Sequence, residues 1–258
     1  MANFFTRSYT KEGKGVSKDG PQKKRFFLFF EICGRKFWSI VLVGLIFLLF
    51  CIPVVTFGPA CCGLALVLRN FAREEHAFVW ADFWRGFKEN FKQGLVVGLL
   101  NLAAFGVTGF ASWYYFKEMQ STEWMLILFA ISLLCLIFEI FMSFYAYLMI
   151  VTFTLKTSKL IKNAFLFSLI GIRINILTLV CVLLMLALSV FLFTLMPALL
   201  LLIPLFFIPF IAFIIVFNSY GPVKQYLIDP QMEKANAEKS DDEGEDEERI
   251  FSDKLLND

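Results

Sequence analysis

Two ionisable side chains stand inside otherwise apolar sequence, Glu139 in LCLIFEIFMSF and Arg173 in LIGIRINIL. Uncompensated charge in a bilayer costs on the order of 2.5–3.5 kcal/mol even on insertion scales, so such residues are functional candidates and need partners. Counting rise per residue, Arg173 lies roughly 10 Å nearer one membrane surface than Glu139, a gap that a long side chain partly closes. The pattern predicts an intramembrane Glu139/Arg173 pair or a snorkelling Arg173. A proton or solute pathway is the sharper alternative.

Other chemistry-bearing residue types are not grouped. The single histidine, His76 in REEHAF, has no HExxH context and no neighbouring metal ligands. No phosphate-binding loop, GxSxG elbow or dinucleotide fingerprint occurs. The six cysteines, Cys33, Cys51, Cys61, Cys62, Cys135 and Cys181, lie in or beside apolar runs without a CxxC or Cys/His cluster, which predicts buried packing. Adjacent Cys61 and Cys62 are poorly placed for a mutual disulfide. Glu74, Glu75 and Asp82, in AREEHAFVWADF, read as solvated loop charge. These observations predict no enzyme, no metal and no cofactor.

The elements that must position these residues belong to a lipid-solvated chain. Of 258 residues, 59% are hydrophobic, 33 are Phe and only 18% are charged, and the mean hydropathy is +0.71. Stretches such as SIVLVGLIFLLFCIPVVTF exceed the roughly 18 apolar residues that argue for a spanning helix. The expected fold is all-α: a polytopic membrane helix bundle of about six transmembrane helices with amphipathic interfacial helices. Spans are expected at about 37–57, 59–73, 94–116, 125–153, 172–194 and 198–217. Interfacial helices are expected at about 26–36, 80–93 and 156–168.

Basic residues concentrate on the cytoplasmic side of membrane proteins and sort the loops. The leader through Lys36 carries nine of them; Arg69, Arg73, Arg85, Lys88 and Lys92 follow the second run; Lys156, Lys159 and Lys162 lie in LKTSKLIKN. By contrast, KEMQSTE holds only Lys117 and TLMPA none. Two neighbouring inside segments require a reversal between them, in IPVVTFGPA. Pro53, Thr56, Gly58 and Pro59 are therefore read as a structural corner, with Gly58 permitting a sharp entry and Pro59 opening the return helix. A short tilted crossing at 59–73 is preferred to a re-entrant loop on length grounds. Both termini are then cytoplasmic: a basic leader, 1–25, ahead of the helical domain at 26–225, and an acidic tail, 226–258, read as disordered.

In WADFWRGFKENFKQ, Trp80, Trp84, Phe87 and Phe91 recur at helical spacing, with Arg85, Lys88, Glu89 and Lys92 on the other face. Such a stripe predicts an interfacial anchor; its sharper reading is a helix that docks a partner. KTSKLIKNAFLF weakly repeats the arrangement, with Lys followed shortly by Asn and Phe. The basic leader also explains orientation, and no aromatic stacking platform accompanies it, so no nucleic-acid partner is expected.

The ordered run GVSKDGPQKKRFFLFFEICGRKFWSIVLVGLIFLLFCIPVVTFGPACCGLALVLRN, followed by DFWRGFKENFKQ, resembles the YesL family of Gram-positive bacterial membrane proteins. IPVVTFGPA and NFKQ are its most specific pieces. The resemblance covers roughly residues 10–225, is strongest in the first hundred, and excludes the acidic tail. Genes of that family commonly lie beside carbohydrate ABC importers, sensor kinases and glycan-degrading enzymes, and no catalytic residues carry over. The resemblance implies a non-enzymatic accessory or regulatory subunit of a carbohydrate ABC uptake system in the cell membrane, with importer permease subunits and the lipid bilayer as partners. The chain lacks an EAA-type coupling motif and an ATP-binding motif, so no ATP is expected to bind this chain itself. A small solute transporter or channel acting alone is the competing expectation.

Overall fold

Long Leu/Ile/Phe/Val runs satisfy their backbone hydrogen bonds internally as helices, the form that a single chain segment can take in hydrocarbon. A computed structural model describes residues 25–119, 122, 124–196 and 202–232, and these form helices with no strand. The elements are α1 (Arg25–Arg35), α2 (Phe37–Phe50), α3 (Phe57–Ala72), α4 (Val79–Glu89), α5 (Phe91–Glu118), α6 (Trp124–Thr152), α7 (Thr157–Ile170), α8 (Ile172–Leu195) and α9 (Leu202–Val223). A 3-10 turn at Val54–Thr56 precedes α3, and a π-helical turn at Lys224–Ile228 follows α9. Five segments are long and apolar enough to cross a membrane: Val54–Ala72, Phe91–Glu118, Trp124–Thr152, Ile172–Leu195 and Pro204–Met232. The pair α1 and α2, bent by 74°, makes a sixth when taken as one broken span. The chain is an all-α, multi-pass membrane bundle.

α3 is the hub. It packs against α2, α4, α5, α6 and α9, and Ala60, Cys62, Val67 and Leu68 are fully buried along its length. Close approach is bought with glycine. A Cβ at Gly63 would lie 2.8 Å from the Phe83 carbonyl oxygen, one at Gly98 would lie 2.7 Å from Gly58 Cα, and one at Gly58 would enter the Gly94 carbonyl. α3 therefore meets α4 and the first two turns of α5 at backbone distance. Beyond Gly98, no residue of α5 is buried, although the helix runs on to Glu118, about 30 Å further. Gly106 and Gly109 in that stretch meet nothing within 4 Å of a Cβ.

This geometry corrects the corner. Helix α2 ends at Phe50 rather than continuing to 57, and the reversal occupies Cys51–Thr56. Thr56 Oγ1 sits 2.6 Å from the Phe50 carbonyl oxygen and 2.7 Å from that of Pro53, tying the end of α2 to the start of α3. Gly58 and Pro59 already lie inside α3. Gly58 is required by contact with α5, not by an unusual backbone angle. Alone, α3 is about 24 Å long, short of the roughly 30 Å hydrocarbon core. Its N-terminal end adjoins only the opening turns of α5, so the α2–α3 hairpin does not match α5 in depth.

The opposite end of α3 is also closed by defined chemistry. Glu74 has φ 57°, the left-handed conformation, and its N–H donates to the Phe71 carbonyl while the Glu75 N–H donates to that of Asn70. These are the two bonds of a Schellman motif, with Glu where glycine is usual. The Glu74 carboxylate forms an exposed 3.0 Å ion pair with Arg35.

Two further boundaries differ from expectation. The helix expected over 80–93 breaks at Asn90, so Phe91 and Lys92 belong to α5. The segment expected as tail from 226 begins helically, and regular backbone persists to Met232. The leader before Arg25, the start of the span expected at 198–217, and the acidic tail from 233 lie outside the described residues.

Candidate functional site

Polar side chains collect in three places. The first lies where the end of α3, the start of α4 and the end of α6 converge. Arg69, half-buried near the end of α3, donates to the Val151 carbonyl at 2.5 Å and approaches Thr152 Oγ1 at 3.4 Å. A cation at the last turn of α6 complements that helix's dipole and occupies carbonyls lacking an intrahelical donor. Arg69 also lies 3.2 Å from Asn70 Oδ1, while its Nε has no partner among the described residues.

Asp82 is the second anchor of this hub and contradicts its reading as solvated loop charge. It is buried, accepts the Phe78 N–H at 3.1 Å, receives Arg85 at 2.9 Å and lies 3.5 Å from Asn70 Nδ2. A carboxylate in the first turn of α4 satisfies an orphan donor and complements the positive end of the helix. Around it, Arg73 pairs with Glu75 at 2.8 Å, Lys36 donates to the Glu75 carbonyl at 2.9 Å, and Gln93 donates to the Leu155 carbonyl at 2.9 Å. These bonds join α2, α3, α5 and α6 at one end of the bundle.

The aromatic stripe of α4 divides. Phe87 is buried and packs 5.0 Å from Phe50, whereas Trp80 and Trp84 remain exposed at the edge of the same cluster. Phe83, outside the expected stripe, is fully buried against Gly63. The buried face thus runs through Asp82, Phe83, Gly86 and Phe87. Arg85, Lys88, Phe91 and Lys92 remain exposed. Sequence periodicity located the helix but rotated its apolar face toward the tryptophans, because burial here is governed by Gly86 fitting against α3.

The second polar place is the α5–α6 seam. Glu139 Oε2 accepts from Thr108 Oγ1 at 2.9 Å, and one helical turn away Ser112 Oγ lies 3.1 Å from Ser132 Oγ. Glu139 is not paired with Arg173. That arginine is exposed at the start of α8, and the ion pairs found among the described residues are Arg35–Glu74, Arg73–Glu75 and Arg85–Asp82. Sequence spacing missed Thr108 because a hydroxyl in an apolar run carries no charge to flag it. Glu139 also lines a cleft of about 560 Å³ between α5, α6 and α7, together with Asn101, Thr108, Cys135, Met142 and Phe165. Its second oxygen, Oε1, is covered and has no hydrogen-bond partner among the described residues.

A further set of bonds ties α6, α7 and α8 together. Tyr145 O–H donates to Asn175 Oδ1 at 2.6 Å, and Asn175 Nδ2 returns 3.1 Å to the Ser168 carbonyl. Gly171, at the α7–α8 break, leaves room for the Tyr145 hydroxyl, which a Cβ there would meet at 2.5 Å. α7 therefore packs along α6. The described residues contain no group of three or more His, Cys, Asp or Glu able to hold a metal ion.

No curated protein and no solved structure matches the chain. Residues 25–111, which run from α1 into α5 and include Gly58, Gly63, Gly94, Gly98, Arg69 and Asp82, match the model of a family described as a protein of unknown function, DUF624.

Proposed function

We propose that this chain is a non-enzymatic membrane subunit that acts by holding or regulating a partner, and that the partner is the permease of a carbohydrate ABC importer. The observation that carries the non-enzymatic part is the employment of the polar side chains. Arg69, Asp82, Thr108, Ser112 and Asn175 join helix to helix or cap helix ends. The partner's identity rests on the YesL-like resemblance alone. The basic residues clustered at the Arg69/Asp82 end favour a cytoplasmic position for that end. There α4 exposes Trp80 and Trp84 beside Arg85 and Lys88, an edge suited to the headgroup zone and to a partner's coupling surface.

Affinity capture of the full chain from its native membranes in a gentle detergent tests the proposal. Permease and ATPase chains are expected in stoichiometric recovery, reduced by Trp80→Ala/Trp84→Ala without loss of the folded subunit. Their absence, together with solute movement by the purified chain in liposomes, would replace the subunit reading with that of an autonomous transporter.

A further inference from the structure

We propose that the cleft between α5, α6 and α7 is a binding site for a lipophilic cation, an apolar molecule with a single positive charge placed against Glu139. This goes beyond the subunit reading and does not depend on it. The cleft volume of about 560 Å³ falls within the roughly 300–1,000 Å³ typical of ligand pockets. Its walls are apolar, from Ala104, Met142, Ile161 and Phe165, and its mouth is edged by exposed Leu100 and Leu169. Such a rim opens toward hydrocarbon, so entry is lateral from the bilayer.

The polar content of the cleft selects the charge. One carboxylate oxygen is engaged by Thr108, and the other has no donor among the described residues. Rotation about the soft terminal torsion of glutamate would bring the covered oxygen to the cleft. Among the described residues no cationic side chain lines it, and Arg173 makes no ion pair with Glu139. A bound cation supplies the missing counter-charge, relieving the cost of a carboxylate in a dry apolar setting. Other ligand classes fit less well. A hard metal ion needs about six or more oxygen ligands, and the many hydroxyls of a sugar would meet only Asn101, Thr108 and Glu139 among otherwise mostly apolar lining residues.

Equilibrium dialysis of the purified full chain in detergent micelles tests this, with tetraphenylphosphonium as cationic probe, triphenylphosphine oxide as neutral probe and empty micelles as background. The wild type is expected to bind the cation saturably at one site and to prefer it to the neutral probe. Glu139→Gln is expected to weaken cation binding roughly 30-fold or more, the usual scale for removing one partner of a desolvated charge pair. Arg173→Gln is expected to leave binding unchanged. Equal cation binding by Glu139→Gln and wild type, equal binding of the two probes by wild type, or no saturable binding overturns the proposal. Should Glu139→Gln fail to fold, Leu100→Trp decides, because it fills the mouth while keeping the carboxylate. Loss of cation binding supports the site, and unchanged binding places the cation elsewhere and overturns it.

Discussion

α3 and α8 are both apolar helices, yet 67% of an apolar 18-residue window in Val54–Ala72, the segment containing α3, is buried within the protein, against only 6% of one in α8. Their side chains explain the difference. α3 is built from Gly58, Ala60, Cys62, Gly63 and Ala65, which let neighbouring backbones close in, whereas α8 is dominated by Leu and Val, whose branched chains face outward. Lipid and protein interior are equally apolar, so hydrophobicity alone cannot sort helices between them; size and interhelical bonding do. The chain thus has a tightly packed end, organised by α3 and α4, and an open far half where helices touch through a few seams.

Glycine substitutions give the largest expected contrast between these regions. Gly58→Leu drives a side chain into the α5 backbone at Gly94 and Gly98, where neither helix can give way. Overpacking typically costs about 1–3 kcal/mol, and a clash of two backbones sits at the upper end, about 3 kcal/mol, so the variant should lose its monodisperse peak in size-exclusion chromatography. Gly109→Leu, in the same class of apolar helix with nothing within 4 Å, should elute and melt as the wild type does. A well-behaved Gly58→Leu protein would dissolve the distinction between the two regions.

The polar hub should respond next most strongly. Arg69→Met removes the donor to the Val151 carbonyl while keeping much of the side chain's apolar length, and about 1.5–3 kcal/mol is expected from losing a charged hydrogen bond. Asp82→Ala, which strips the Phe78 N–H and Arg85 of their acceptor, should cost about 1–3 kcal/mol. Unfolding in mixed detergent and denaturant measures both. The same readout on Leu184→Ala in α8, whose side chain is exposed, should move by no more than about 0.5 kcal/mol.

What the sequence made legible follows the same division. α8 and the outer halves of α5 and α6 were readable because a lipid-facing helix needs only length and apolar character, both visible in one dimension. Loop charge likewise marked the breaks after Ala72 and Thr152. The packed end was harder. Pro53 announced a reversal, but the need for glycine at 58 arises from α5, some forty residues away, and no local rule reports it. Asp82 looked like surface charge because its partners, Asn70 and the Phe78 amide, become neighbours only when α4 folds back along α3. For the same reason Phe83, not Trp84, turned out to hold the deepest position on α4.

Glu139 provides the smallest effect and the finest test, because it separates pairing read from charge from pairing made by packing. The two oppositely charged residues in apolar sequence suggest each other, but Arg173 is exposed on α8 while Thr108 contacts the carboxylate across the α5–α6 seam at 2.9 Å. A double-mutant cycle with Glu139→Gln and Thr108→Val should return a coupling of about 0.6 kcal/mol, reaching at most about 1.7, as for other interhelical hydrogen bonds in membranes. The corresponding cycle with Arg173→Gln should return none. Unfolding free energies of the single and double variants supply both numbers. If instead Arg173 proved the coupled partner, α8 would have to approach α6 at the depth of Glu139. The open far half would then be a closed bundle held together by charge.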